Sequence, residues 1–240
     1  MAMNKVYFVG AGPGDPDLIT VKGMDLVRRA DVLIYAGSLV NPELVARSSA
    51  VEKCNSWGMH LEDIIETMES GIKTDKLVVR LHSGDPSLYG AIVEQIVELG
   101  KRGIVVEIVP GVSSLFGAAA SLQTQLTLKG VSDTLIVTRP AGMTLDHDDL
   151  QELSRFGATM VIFLGTEKIA DVFSRVRYPP DTPVAVVYHA SWKDEKIVKG
   201  TVADIVEKVK MAGIDKSALI IIGGVVDPKI SRYSRSVLYS

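Results

Sequence analysis

The hexapeptide Gly10-Ala11-Gly12-Pro13-Gly14-Asp15 follows directly on the apolar run Val6–Val9 and has the residue types of a ligand-binding loop. A dinucleotide loop of this length needs a third glycine where Asp15 stands, and it must open a helix whose first N–H groups receive a pyrophosphate. Here that position is a carboxylate. Pro13 has no N–H to offer, and Asp15-Pro16-Asp17 sets further negative charge where a phosphate would approach. Such a loop brings main chain close to a ligand while repelling phosphate, which suits a positively charged ligand that carries none. S-adenosylmethionine is the common cofactor of that description. A plain glycine turn between strand and helix fits the hexapeptide, taken alone, about as well.

Three more loops share this placement after a β-branched run: Ser83-Gly84-Asp85-Pro86-Ser87-Leu88-Tyr89-Gly90, Pro110-Gly111-Val112-Ser113-Ser114 and His189-Ala190-Ser191. Glycine permits close approach of backbone to ligand, and Asp85 offers an acceptor to an amine, a hydroxyl or a sulfonium-bearing ligand. An Asx turn leading into a helix is the alternative for Gly84-Asp85-Pro86. Several such loops at strand ends together read as the floor of a cofactor site.

The elements that must position these loops alternate. Apolar β-branched runs at Val6–Val9, Val32–Tyr35, Leu77–Leu81, Val105–Val109, Thr134–Thr138, Thr159–Leu164, Val184–Tyr188 and Leu219–Ile222 are separated by helical periodicity at Gly23–Ala30, Leu61–Ser70, Ala91–Gly100, Lys168–Val176 and Ala203–Ala212. This is an α/β pattern, with Gly100 and Gly213 where helix stops belong. Composition shifts from small and apolar at 111–122 to polar at 123–130, so two α/β domains are expected, 1–118 and 119–240. The cofactor is expected in the cleft between them, beyond the strand ends.

The 240 residues are 47% hydrophobic and 23% charged, an ordinary globular balance. A net charge of −3 gives no general attraction to nucleic acid or anionic membrane. Cys54 is the only cysteine, which excludes an intrachain disulfide and a structural zinc-thiolate site. No apolar stretch is long enough to span a bilayer and Met1–Lys5 carries no signal-peptide core, so a cytoplasmic location is expected. His147-Asp148-Asp149 could be thought a metal cluster, but neighbours on a helix point apart and such runs commonly cap helix starts; no metal is expected.

With these segments in view the chain resembles the tetrapyrrole methylases, two-domain S-adenosylmethionine-dependent methyltransferases. The matching motifs are Val9–Pro16 with Leu18–Gly23, the Gly84-Asp85-Pro86 loop, Pro110–Ser114 and Phe163-Leu164-Gly165-Thr166. Tyr35-Ala36-Gly37-Ser38-Leu39-Val40, Arg80–Gly90 and Val137–Gly142 are similar to the branch that methylates precorrin-4, or cobalt-precorrin-4, at carbon 11. Relatives acting on uroporphyrinogen carry Asp where this chain has Ala36. The resemblance implies S-adenosylmethionine, leaving as S-adenosylhomocysteine, held by Pro13, Gly84, Asp85, Leu88, Ser113, Ser114, Leu164 and Ala190. It also implies a homodimer.

An acidic tetrapyrrole needs cationic partners, for which Arg80, Arg139 and Lys129 are candidates; the fork of Arg takes carboxylate bidentately. A solvated surface charge is the alternative for each. Tyr35, Ser38, His82 and Tyr89 complete the expected substrate set, with His60, Trp57 and Met59 behind them. For His82 a hydrogen-bonded structural histidine is as good a reading. Methyl transfer by in-line displacement requires no triad or metal, and no side chain is singled out as catalytic. A methylase for another tetrapyrrole position, a cofactor-sensing module without catalysis and a nicotinamide oxidoreductase stand as rivals.

Overall fold

The computed structural model describes residues 4–143, 145–227 and 234, with the side chain of Ser38 outside the description. Two compact units divide the chain, Met1–Phe116 and Gly117–Ser240.

In the first unit β1 (Lys5–Gly10), α1 (Val21–Arg29), β2 (Val32–Tyr35), α2 (Pro42–Ala46), β3 (Glu52–Asn55), α3 (Leu61–Lys73), β4 (Val78–His82), α4 (Ile92–Lys101) and β5 (Val105–Val109) follow one another. The strands are all parallel, in the order β3-β2-β4-β1-β5. A parallel sheet is covered on both faces, which is why its central strands are continuous apolar runs. Val6, Phe8, Val32, Ile34 and Val78 pack under α3 and α4, beside Ile65, Met68 and Leu99. Tyr7, Val9, Leu33, Val79 and Leu81 pack on the opposite face with Leu26 and Val27 of α1 and Leu44 of α2. Thr20 caps α1 by accepting from the Gly23 N–H at 3.1 Å, and Asn41 caps α2 by accepting from Glu43 at 2.9 Å. Edge strand β3 is mostly exposed and has no apolar run to betray it.

Helix α5 (Ser114–Ser121) carries the chain across the boundary. The second unit holds β6 (Leu135–Thr138), α6 (Leu150–Ser154), β7 (Thr159–Ile162), α7 (Ile169–Arg175), β8 (Pro183–Tyr188), β9 (Lys196–Thr201), α8 (Ile205–Met211) and β10 (Ala218–Ile222). Its sheet runs β6-β7-β10-β8-β9 and is mixed: β10 lies antiparallel to β7 and β8, so β6, β7 and β8 point one way. Met160, Ile162, Val184, Val186, Ile220 and Ile222 form its core with Leu150, Val172, Ile205 and Val209 from the helices. The chain is thus α/β twice over, as its alternating pattern requires.

One expected helix stop moves. Helix α4 runs through Gly100 to Lys101 and the chain turns at Gly103, whose φ is +69°. Gly213, at φ +68°, does follow α8. The difference is conformational: neither position crowds a Cβ, but Gly100 keeps helical backbone, which does not demand glycine, whereas Gly213 holds a positive φ. Gly71 in α3 is the opposite case, since its Cβ would lie 2.6 Å from Val78 Cγ2. Gly100→Ala should stabilise the protein by about 0.5–1 kcal/mol through helix propensity. Gly71→Ala should destabilise it by about 1–3 kcal/mol through overpacking. Urea unfolding midpoints of the two variants measure both.

Candidate cofactor and substrate site

The loops after β1, β4 and β5 meet main chain to main chain. Ala11 N–H donates to His82 O at 2.7 Å, and Gly12 and Gly84 exchange N–H···O bonds of 3.2 and 2.9 Å. A Cβ on Gly10 would stand 2.5 Å from Gly111 Cα and 2.7 Å from Gly84 O. Gly12 and Gly84 have φ of +83° and +61°. Only glycine fits such contacts and such dihedrals. Asp85 fastens the arrangement: one carboxylate oxygen accepts from Gly111 N–H and the other from Ser87 N–H, both at 2.8 Å. The Asx turn is thus formed, and the second oxygen ties two loops together.

Beyond the glycines the chain does not enter a helix. Asp15 accepts from Asp17 N–H at 2.9 Å and caps a single turn at Pro16–Leu18, and α1 begins only at Val21. The first N–H groups of α1 therefore stand away from the glycines, and the loop lacks the helix end that a pyrophosphate needs. Asp17 is neutralised by Arg47 at 2.6 Å, and Asn41 steadies the loop by donating to Gly14 O at 2.9 Å. Ser113 is buried and accepts from Leu115 N–H at 3.3 Å at the start of α5. Gly84 faces Ser113 and Ser114, its Cβ direction 3.6 Å from Ser113 Cα and Ser114 N. Of the expected cofactor residues, the structure gathers Gly84, Asp85, Ser113 and Ser114 here, with Pro13 in the adjoining loop. Leu88 follows in the turn closed by its N–H to Asp85 O, and Tyr89 lies exposed at φ +58°.

The expected substrate residues divide. Strand alternation turns Tyr35 toward the α1 side with Leu81, whereas Arg80 and His82 face α3 and α4 with Val78. The alternative of a solvated charge fails for Arg80, which is 5% exposed. Its Nε donates to Gln95 Oε1 at 3.4 Å, and its Nη1 has no hydrogen-bond partner. Desolvation lowers its pKa to about 10. His82 is 4% exposed, its Nε2 has no partner, and its ring lies 5.3 Å from that of Phe8. Burial first, and the Arg80 charge second, push its pKa down to about 3. The hydrogen-bonded structural histidine is not what the Nε2 side of this ring shows. The side chain of Ser38 lies outside the described residues. Arg102 is committed to surface pairs with Glu69 and Glu98.

In the second unit Arg139, Leu164 and Ala190 stand just past the carboxyl ends of β6, β7 and β8, on one edge of the sheet. Phe163 N–H donates to Thr138 O at 2.9 Å, Thr166 Oγ1 to Ala218 O at 3.0 Å, and His189 N–H to Ser217 O at 3.3 Å, so two of these loops hang on the start of β10. Leu164 is exposed with φ +54°, and His189 and Ser191 have φ of +47° and +68°. Left-handed backbone at a non-glycine residue is strain of about 1–3 kcal/mol that gathers at ligand sites. His189 stacks on Tyr188 at 3.8 Å, and its Nδ1 stands 3.0 Å from both oxygens of Asp194. No residue type in this loop announces those dihedrals, and a sequence reading passes over them. Asp148, once a conceivable metal ligand, is a brace: it accepts from Ala141 and Leu150 N–H and from Arg175 at 2.8 and 3.0 Å.

The sequence model of the tetrapyrrole (corrin/porphyrin) methylases matches residues 5–206. The chain belongs to this family. The methylase is 56% identical over 237 residues to a cobalt-precorrin-4 C(11)-methyltransferase of Methanocaldococcus jannaschii, covering 96% of this chain and 92% of that protein. It superimposes on the X-ray structure of a cobalt precorrin-4 methyltransferase with a TM-score of 0.89 at 45% identity, covering 95% of this chain and 98% of that one. A Thermus thermophilus uroporphyrin-III C-methyltransferase complexed with S-adenosyl homocysteine gives a TM-score of 0.79 at 31% identity, covering 92% and 98%.

Two outcomes are expected. Gly111→Ala should collapse the three-loop contact, lowering S-adenosylhomocysteine affinity by at least about tenfold, as calorimetry would register. For His82 the unfolded ring takes up its proton below about pH 6.5, while the folded one resists until about pH 3. Its contribution is therefore whole above pH 6.5 and is lost as pH falls toward 3, by up to about 1.4 kcal/mol per pH unit. Denaturant midpoints at pH 7 and 5 should differ less in His82→Asn than in the unaltered protein.

Proposed function

We propose that this methylase transfers the methyl group of S-adenosylmethionine to carbon 11 of cobalt-precorrin-4, or of metal-free precorrin-4, in cobalamin synthesis. The observation that carries the reading is the near-full-length identity with the Methanocaldococcus jannaschii enzyme. The cradle of Gly10, Gly84 and Gly111 suits the cofactor because it lets main chain approach a ligand closely, and the glycine loop after β1 presents no helix end to a pyrophosphate.

S-adenosylmethionine brings the methyl group together with its leaving group. The chain has then to hold and orient two reactants and keep water away, a contribution that reaches roughly 7–11 kcal/mol of barrier when geometry is well set. Gly84, Asp85, Ser113 and Ser114, with Pro13 and Leu88, serve the cofactor. Arg80, His82 and Tyr89 serve the substrate, Arg80 through its carboxylates. The methylase acts as a homodimer in the cytoplasm. Family likeness supports the dimer, as do the exposed Val105 and Ile108 on edge strand β5. No described helix is long and apolar enough to cross a membrane.

Incubation with S-adenosylmethionine and precorrin-4, with and without cobalt, should yield S-adenosylhomocysteine and a tetrapyrrole bearing one more methyl group by mass spectrometry. Fragmentation should place that group at carbon 11; another position would identify a different branch of the family. By calorimetry S-adenosylhomocysteine should bind at about micromolar Kd and NAD not at all. Tight NAD binding would overturn the reading.

A further inference from the structure

We infer that Arg80 and His82 form a buried subsite for a single carboxylate beside the first turn of α4. The inference deepens the proposed function, and its substrate arm rests on that reading; the subsite itself does not.

Three observations meet there. The guanidinium of Arg80 is inside the protein with Nη1 unpartnered, and His82 Nε2, two residues on along the same face of β4, is unpartnered as well. Both are more than nine-tenths buried. Arg80 is tethered to a helix end: its Nε bonds Gln95, and Gln95 Nε2 donates back to Ala91 O at 3.1 Å. Ala91 begins α4 in a left-handed conformation with no side-chain cap, and Gln95 ties Arg80 to the first turn of this ten-residue helix. The positive end of a helix and a buried cation together favour an anion.

The surroundings supply none. Arg80 forms no ion pair among the described residues, and the groups close to it are Phe8 and Ile34 in register on either side, with His82, Gln95 and Cys54. At neutral pH the guanidinium remains charged even with its pKa lowered to about 10. A charge held in the dry interior without a partner is strongly destabilising, and such groups persist where something pairs with them.

Charge count selects the ligand. His82 is neutral at neutral pH, so the pair carries one positive charge, contributed by Arg80, while the Nε2-protonated tautomer of the imidazole can donate to an acceptor. One planar, singly charged carboxylate accepts from both. Phosphate, carrying between one and two negative charges, would leave surplus charge buried. The carboxylate has two sources: a side chain of the acidic tetrapyrrole, or a free small acid.

The full chain, labelled with nitrogen-15 in its histidines, is titrated with sodium acetate, sodium chloride and sodium phosphate while ring resonances are followed; His82→Asn assigns the His82 signal. A saturable His82 shift with acetate, absent with chloride and phosphate, is expected. In Arg80→Met that shift should vanish, and the tetrapyrrole KM should rise about tenfold or more with the S-adenosylmethionine Kd unchanged. Acetate binding with an unchanged KM identifies a free acid as the occupant, and a raised KM without acetate binding identifies the substrate. If acetate does nothing to His82 and Arg80→Met leaves KM unchanged, the subsite is overturned. An equal response to phosphate overturns the carboxylate assignment. Should Arg80→Met fail to fold, the unaltered protein's titration and Arg80→Lys decide. Loss of methyl transfer in the unaltered protein with acetate binding intact would sink the proposed function and leave the subsite standing.

Discussion

The contact of Gly10, Gly84 and Gly111, backbone against backbone, is the constraint on which the first unit depends. It exists because β1 lies between β4 and β5, so the three loops leaving those strands start side by side. Once they touch, other choices follow. Asp85 is needed to hold the loops together, Asn41 to hold Gly14, and Ser113 to start α5 from within the cluster.

Much of this was legible because burial on both faces writes itself as a continuous apolar run. The central strands β1, β2 and β4 were plain for that reason, and so were β8 and β10. The edge strands β3 and β9 were not, since Glu52-Lys53-Cys54-Asn55 and Lys196–Thr201 face solvent and alternate weakly. Gly, Pro and Asp made the phosphate-hostile loop visible, because each of those residue types carries its own backbone rule. The left-handed residues Leu164, His189 and Tyr89 were invisible, as their side chains say nothing of φ. Whether Arg80 was core or surface also lay beyond sequence. An arginine inside Val-Val-Arg-Leu-His reads as outward-facing until β4 is known to be flanked by both β1 and β2.

Arg80 exposes a conflict between folding and binding. A methionine of similar length would fit the same wall of Phe8, Ile34 and Val78 with no desolvation to offset. The second unit resolves a similar conflict differently. Its strained loops at 163–166 and 189–191 are anchored at Ser217, itself left-handed at φ +56°, and at Ala218, where β10 begins. Both arrangements place the least comfortable residues at strand ends, against the most rigid part of each sheet.

The central place of β1 also sets an order of events. It precedes both of its neighbours, β4 and β5, in the chain, and the last of these begins only at Val105. A strand with both edges open must wait while nearly the whole unit is made, and such non-local pairing is slow and prone to wrong partners. Asp85 reaches Gly111 only after that closure. A nascent chain therefore has no cofactor floor until the loop after β5 has left the ribosome, and a ligand that binds this floor acts as a clasp on the final step of folding rather than as a template for the earlier ones.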